Sequence, residues 1–348
     1  MIRTALRQLR TEAAIGAGCL AVLAVVLALT EPQLAQVNDA FQRACSAARD
    51  CATATNPVAQ VDPGLATLVD MFALVAPVLV GLFFGAPLLA GELESGTFRL
   101  AWTQSVTHRR WLSVKLGLVG ATAVVMSALL VWMVDWWQAP LDAGARNGFS
   151  PVDFGFHGVV LVGYAVFAFA LGVAAGTLLR RTVTAMAATL AGFLAARIAV
   201  TNWVRPILAP PLHESLSLAK TGFGTLSVSP SPGTTSLLPP AVLMPNSWVY
   251  QTSVVNSSGA TLSARELLQA CPGYGQLAET KVPPTLAEMV RIHHDCLARL
   301  SQATYHTLVV YQPSSRFWPF QWAELAIFAV AALALCGLVY WWLHRCYA

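Results

Sequence analysis

Six stretches of the chain are apolar almost without interruption, at about 13–30, 67–90, 114–136, 158–179, 182–203 and 322–343. A bilayer core needs roughly 17–25 apolar residues per crossing helix, and all six meet that length. Alternating strand-like segments of about ten residues, the mark of a membrane barrel, are absent from the sequence. The pattern predicts an all-α polytopic membrane protein with six transmembrane helices.

The most informative polar gap is 91–116, GELESGTFRLAWTQSVTHRRWLSVKL. Glu92 and Glu94 follow the second apolar stretch directly, Ser95-Gly96-Thr97 reads as a turn, and Phe98, Leu100, Ala101 and Trp102 supply one apolar face. An amphipathic helix is expected within 91–110. Ordinary interfacial anchoring accounts for Arg109, Arg110, Trp111 and Lys115. It does not account for two glutamates, because acids gain nothing beside an anionic leaflet; a cytoplasmic protein partner does.

Composition narrows the function classes. Hydrophobic residues make up 56% of the chain and charged ones 11%, with a mean hydropathy of +0.59, which excludes the soluble globular class. The only lysines are Lys115, Lys220 and Lys281; none follows G-x-x-x-x-G, and H-E-x-x-H, G-x-S-x-G and dinucleotide fingerprints are also missing. The chain is therefore expected to be no enzyme and to hold no cofactor or metal of its own. Any ATP must be hydrolysed by another polypeptide. Membrane lipid is an expected partner and nucleic acid is not.

The distribution of basic residues sets the orientation. Arg3, Arg7 and Arg10, then Arg99, Arg109, Arg110 and Lys115, then Arg180 and Arg181, and finally Arg345 fall at one set of helix ends, whereas the short loop 137–157 carries only Arg146 against Asp142 and Asp153. Both termini are thus expected in the cytoplasm of a multi-pass plasma-membrane protein. The first apolar run follows three arginines and contains Gly18-Cys19, like a cleaved leader, but it continues to Leu29 with no A-x-A site. It is expected to stay as an anchor.

This orientation puts 31–66 and 204–320 outside. Cys45 and Cys51 lie in the first segment, Cys271 and Cys296 in the second, and each pair is expected to form a disulfide in an oxidising compartment. Residues 204–250, rich in Pro, Ser and Gly, read as irregular structure. Beyond 260, Ser263-x-x-Glu266 and Thr285-x-x-Glu288 are capping boxes that start two helices. Leu286, Met289, Val290, His293, Leu297 and Leu300 recur at helical spacing as a buried stripe. The prediction is a small helical extracellular domain. His293, His294, Asp295 and Cys296 are adjacent, so at most two share a helix face, and His293 reads as a packed histidine rather than a metal ligand.

Glu92, Glu94, Gly96, Thr97, Arg99, Thr103, Arg109 and Trp111, in this order between a second and third span, resemble the coupling segment of the membrane subunits of type-2 ABC exporters, in particular their compact six-span actinobacterial form. The resemblance extends to a basic amphipathic elbow at 1–12 and to the lead-in Tyr311-Gln312-Pro313 through Trp318 before the last span. It implies that Glu92, Glu94, Gly96, Thr97, Arg99, Trp102 and Arg109 couple to cytoplasmic ABC ATPase subunits, which hold the ATP and Mg. It also implies a dimer with a second copy of this chain or a related permease, moving a drug, lipid or peptide of amphipathic or hydrophobic character outward by alternating access. The division follows as 1–203, an extracellular domain at 204–320, and 321–348.

In such subunits the second span, with the fifth, lines the cavity, so the resemblance makes Met71, Leu74, Phe83 and Phe84 candidate lining residues, with Arg197 of the fifth span a further candidate. Pro77 and Pro87 free carbonyls in that span and can bend it. Gly81-x-x-x-Gly85 and Gly172-x-x-x-Gly176 mark close helix contacts, with a contact between subunits as one reading. Arg197 is the one basic residue well inside a span, about 9 Å below Trp203 at 1.5 Å per residue. Pairing with Asp70, Asp135 or Glu324 is expected of it. A membrane scaffold or sensor with a ligand-binding ectodomain and a cytoplasmic partner is the alternative.

Overall fold

The computed structural model describes residues 2–47, 63–95, 108–142, 149, 153–228, 235–240, 242, 244, 247–279 and 285–347. The chain divides into two compact units, Met1–Leu208 with Ser315–Ala348, and Ala209–Ser314.

Among the described residues, six helices are long and apolar enough to cross a membrane: Ala13–Ala40, Thr67–Glu94, Leu112–Ala139, Val160–Leu179, Thr182–Ile207 and Ser314–Arg345, here spans 1 to 6. Their directions alternate, as hydrogen bonds at both ends attest. At one end Ser113 of span 3 meets Tyr340 of span 6 at 2.5 Å. At the other, Trp137 Nε1 of span 3 donates to Thr30 of span 1 at 3.0 Å, and Gln138 donates to Asp70 of span 2 at 2.8 Å. Span 4 is the hub, in contact with spans 2, 3, 5 and 6. It is apolar all round, as a helix enclosed by other helices must be, and of its most apolar window 83% is buried, against 6% for span 1.

Span 1 belongs to one unbroken helix, Ile2–Ala47. Residues 2–12, expected as a separate elbow, and 31–47, expected in an outer loop, both continue it. The helix persists through Pro32 because Leu27, Leu34 and Asn38 keep one face buried against span 3. Beyond Thr30 its sequence is polar, so an apolar-run criterion stops there although the helix does not.

Span 2 changes winding part-way. An α-helix, Pro63–Leu79, passes into a π-turn, Val80–Gly85, and back to an α-helix, Ala86–Ser95. The wider turn ends two residues before Pro87, which has no N–H to give and whose ring clashes with the carbonyl four residues back. Across this turn span 2 lies backbone to backbone on span 4. A Cβ on Gly81 would sit 2.6 Å from the Ala168 carbonyl oxygen, one on Gly85 2.6 Å from that of Phe169, and one on Gly176 2.6 Å from that of Ala86. Both glycine motifs therefore serve the same contact within one chain. The packing alongside it buries Leu89, Leu112, Leu116, Val119, Phe169 and Val173.

The second unit corrects the expectation of an all-α chain. Strands β1 (Leu212–Leu216), β2 (Thr225–Val228), β3 (Thr235–Leu238), β4 (Trp248–Val255) and β5 (His306–Gln312) form an antiparallel sheet in the order β1-β5-β4 and a separate β2-β3 pair. The segment read as irregular, 204–250, thus holds β1, β2 and β3 and the start of β4. The two capped helices are present, Ala264–Ala270 and Leu286–Gln302. Ser263 Oγ accepts from the Glu266 N–H at 3.3 Å while the Glu266 carboxylate accepts from the Ser263 N–H at 2.9 Å. Thr285 Oγ1 accepts from the Glu288 N–H at 3.3 Å.

Cys271 and Cys296 form the expected disulfide, with a Cα–Cα distance of 5.1 Å. It lies in the core of Leu218, Phe223, Val254, Leu262, Leu267 and Leu300. The Cys45 side chain and all of Cys51 lie outside the described residues. The stripe on Leu286–Gln302 is buried only in its second half: Cys296 and Leu300 are enclosed, whereas Leu286, Met289 and Val290 are exposed. His293 is packed, its ring 5.0 Å from that of Phe223 and Nδ1 3.0 Å from the Tyr274 hydroxyl.

Candidate functional site

Two polar constellations stand at opposite ends of the first unit. The first surrounds the carboxylates that close span 2. Glu92 forms an ion pair with Lys115 of span 3, whose Nζ also donates to the Leu88 carbonyl at 3.0 Å. Lys115 is almost fully buried, so pairing and hydrogen bonding offset the cost of desolvating its charge.

Glu94 reaches a different helix. Its Oε2 accepts from the Thr182 N–H at 3.1 Å and from the Thr182 hydroxyl at 2.9 Å. Thr182 opens the helix of span 5, Thr182–Ala199, after a tight turn in which Arg180 is left-handed at φ 55° and Arg181 is extended. A helix start leaves four N–H groups without intrahelical acceptors, commonly met by a Ser, Thr, Asp or Asn side chain at the preceding position. Here that position is Arg181, which has no acceptor, and a carboxylate from span 2 does the work. The positive end of the helix dipole favours the same charge.

Spans 2, 3 and 5 are thus tied together within two turns of the segment expected to couple. Gly96, Thr97, Arg99 and Trp102 lie outside the described residues. Arg109 falls in the first turn of helix His108–Asp142, with its side chain outside them.

Of the cavity candidates, Met71, Leu74 and Phe83 lie on one uncovered stripe of span 2 with Leu68 and Leu79, Phe83 being 56% exposed. Phe84 turns the other way and packs on the cluster of Leu89 and Val119. The four candidates on span 2 therefore separate three to one.

The second constellation gathers spans 4, 5 and 6 at the end where residues 209–314 leave the unit. Arg205 closes span 5 after a second π-turn, Val200–Val204, and its guanidinium grips Glu324 twice, Nε to Oε2 at 2.9 Å and Nη2 to Oε1 at 3.1 Å. Both side chains are fully buried. Tyr164 of span 4 donates to the same carboxylate at 2.5 Å, and the Arg205 guanidinium lies 4.2 Å above the Phe154 ring. Gln321, one turn before Glu324, accepts from the Val160 N–H at 2.9 Å and donates to the carbonyls of Phe154 and His157. The entry to span 4 is thereby fixed to span 6.

Arg197 takes none of its three expected partners. Asp70 accepts from Gln138, Asp135 lies 3.5 Å from His157, and Glu324 is held by Arg205. The Arg197 guanidinium instead covers the face of Tyr164 at 3.8 Å. Sequence reading missed Arg205 because it follows Trp203 and precedes a proline, outside the apolar run. It also took Lys115 for an interfacial anchor and missed its pairing with Glu92, although the two stand at the same depth, at the start of one apolar run and just past the end of its predecessor.

These helices carry the family signature. The ABC-2 membrane transporter related family matches residues 17–205, more than half of the chain. The chain belongs to this family. Its match runs from span 1 through Arg205 and includes both glycine motifs, the paired glutamates and the cap at Thr182. No curated protein matches the chain, and no solved structure does. As an ABC-2 protein it is the membrane subunit of an ABC transporter, a class of subunit generally not catalytic itself, and the family implies a partner ATPase in a transporter complex.

Proposed function

We propose that this ABC-2 subunit exports an amphipathic or hydrophobic compound, drug, lipid or peptide, across the plasma membrane by alternating access, with both termini cytoplasmic and residues 209–314 outside. It works as a dimer with a second copy or a related permease. Two cytoplasmic ATPases carry the ATP and Mg.

The observation that carries this reading is the attachment of Glu94 to Thr182. A partner that displaces the segment 91–110 acts on the last turn of span 2. Through Glu94 the same displacement reaches the first turn of span 5, and through Glu92 and Lys115 it reaches span 3. Three helices then move as one lever while the close contact of Gly81 and Gly85 with span 4 supplies the pivot. The uncovered stripe of Met71, Leu74 and Phe83 is the surface offered to an apolar cargo. Few fixed charges lie along it, which favours amphipaths over small hydrophilic ions.

Co-expression with a candidate ABC ATPase subunit, purification of the complex and reconstitution into vesicles test the proposal. ATP-dependent movement of a labelled amphipath out of the ATPase-bearing side is the expected result. A subunit that purifies alone, or a complex whose hydrolysis no amphipath alters, would overturn it.

A further inference from the structure

An open hollow of about 420 Å³ lies against the last two turns of span 6, lined among the described residues by Tyr340, Trp341, His344 and Arg345. Residues four apart share a helix face, so these side chains make one continuous wall. The wall is within reach of a ligand: Trp341 is 54% exposed, and His344 and Arg345 are exposed as well. Its inner corner is fixed, because the Tyr340 hydroxyl meets that of Ser113 on span 3 at 2.5 Å.

The wall is built of donors. Arg345 offers a guanidinium fork, and the His344 imidazole and Trp341 indole each offer an N–H; none of the four is a carboxylate. The Arg345 guanidinium lies 5.4 Å from the centre of the Trp341 ring, a contact that steadies the fork and leaves its charge in place. Among the described residues the ion pairs are Glu92 with Lys115, Asp135 with His157 and Arg205 with Glu324, so no carboxylate there answers Arg345. Of the acids at this end of the spans, Glu92 is held by Lys115, Glu94 caps Thr182, and the side chain of Glu12 lies outside the described residues.

Away from the boundary the same face is apolar and uncovered. Val330, Leu333 and Leu338 are exposed, as are Ala334 and Gly337 between the two leucines, and a Cβ on Gly337 would meet nothing within 4 Å. At about 100° per residue, 330, 334, 337 and 338 all fall within about 60° of Trp341. A donor-lined hollow that opens onto an aliphatic furrow outlines an anionic amphipath rather than a free anion.

We infer that this hollow binds the phosphodiester head group of an anionic phospholipid, with an acyl chain lying over Gly337 and Ala334 toward Val330. Arg345 and His344 donate to the phosphate oxygens, and Trp341 stands at the level where an indole is favoured. The guanidinium fork meets two phosphate oxygens at once, which the point charge of a lysine does not. Binding needs neither cargo nor ATPase, so its failure would leave the transport reading standing.

The test uses the full chain in nanodiscs made from equal parts of dioleoyl phosphatidylglycerol and dioleoyl phosphatidylcholine, followed by native mass spectrometry of the lipids retained on release. Wild type should retain phosphatidylglycerol over phosphatidylcholine severalfold. Arg345→Gln should bring the two close to equal, and Arg345→Lys should keep only part of the preference. Arg110→Gln removes another exposed cation, at the start of the span 3 helix, and should keep all of it. A matching loss in Arg110→Gln would reduce the effect to general attraction between basic residues and anionic lipid, and would overturn the inference. Glu12→Gln should change nothing; a gain would make Glu12 the anion that Arg345 already has, with the same consequence. Inorganic phosphate in excess should not strip the lipid, because the acyl chain holds it, and stripping would make this a site for free phosphate instead. Equal retention by wild type and Arg345→Gln would end the inference. So would loss of a dimer in Arg345→Gln at unchanged retention, which would assign this face to a second copy of the chain.

Discussion

Arg205 and Glu324 form a two-point ion pair, 2.9 and 3.1 Å, with neither side chain exposed. The geometry satisfies the guanidinium fork, and Tyr164 takes a further carboxylate lone pair at 2.5 Å. Such a pair adds little stability over apolar residues of the same size, yet breaking it strands a buried charge at about 3–5 kcal/mol. Glu324→Gln should therefore lower the thermal midpoint of the purified subunit sharply, whereas the double change Arg205→Met with Glu324→Leu should recover most of it. Thermal unfolding of the three proteins in one detergent checks this, and equal loss in the single and double variants would contradict it.

Glycine substitutions should divide by location rather than by helix propensity. At Gly81 and Gly85 a methyl group would be driven into backbone carbonyls of span 4, at 2.6 Å in each case. Backbone yields less readily than a side chain, so Gly81→Ala and Gly85→Ala should destabilise by at least the ~1–3 kcal/mol of ordinary overpacking. A Cβ on Gly117 would meet nothing within 4 Å, and Gly117→Ala should be neutral or stabilising, because alanine is the better helix former by about 0.5–1 kcal/mol. Thermal midpoints of the three variants decide it.

The orientation rests on the positive-inside pattern and calls for labelling in intact cells. In a background without other accessible thiols, Ser314→Cys should react with an impermeant maleimide and Thr107→Cys only after permeabilisation. The reverse pattern would put residues 209–314 in the cytoplasm.

The six spans were legible because apolar runs must be long to cross a bilayer, and that constraint leaves little choice of register. The inserted unit was not. β1 is only five residues with His213 and Glu214 at its centre, and β5 buries Thr307 and Gln312 along with Val309. Polar burial of that kind erases the alternation by which strands are read. Glu94 was recognised, but its partner was not. A cap supplied by another helix leaves no trace in local spacing, and Arg181-Thr182 looks like a helix start without a cap. Arg205 escaped for a similar reason: the π-turn at Val200–Val204 carries it back into the core.

Acid should weaken the inserted unit in two stages. Burial, followed by the charge of His294, holds the His293 imidazole below its ordinary value of 6.5. The unfolded chain then binds more protons than the folded one just below that value, so stability falls as pH drops from 6.5 through the folded pKa. Glu266 is held below 4.5, first by the Ser263 N–H and then by its hydroxyl, and its contribution disappears only as pH falls further, through that lower value. Hydrogen exchange of Leu267 and Leu300 amides in the full-length protein should quicken, after correction for intrinsic rates, in the first window. His293→Phe should remove that step and leave the second.

The clamp between Glu94 and Thr182 gives the sharpest test of coupling. Glu94→Gln keeps an acceptor but removes the charge that favours the start of span 5, and Thr182→Val removes the hydroxyl while leaving the N–H. Neither change touches the glycine contact or the Arg205–Glu324 pair, so both proteins should assemble in the membrane with wild-type yield. If the carboxylate links the ATPase-facing segment to span 5, Glu94→Gln should still bind the ATPase, while stimulation of hydrolysis by an amphipath falls severalfold. If Glu94 instead contacts the ATPase directly, the complex itself should weaken and Thr182→Val should have no effect. Pull-down and stimulated hydrolysis, measured together on the same preparations, separate the two. Wild-type behaviour in both would reduce the clamp to a helix cap with no part in transport.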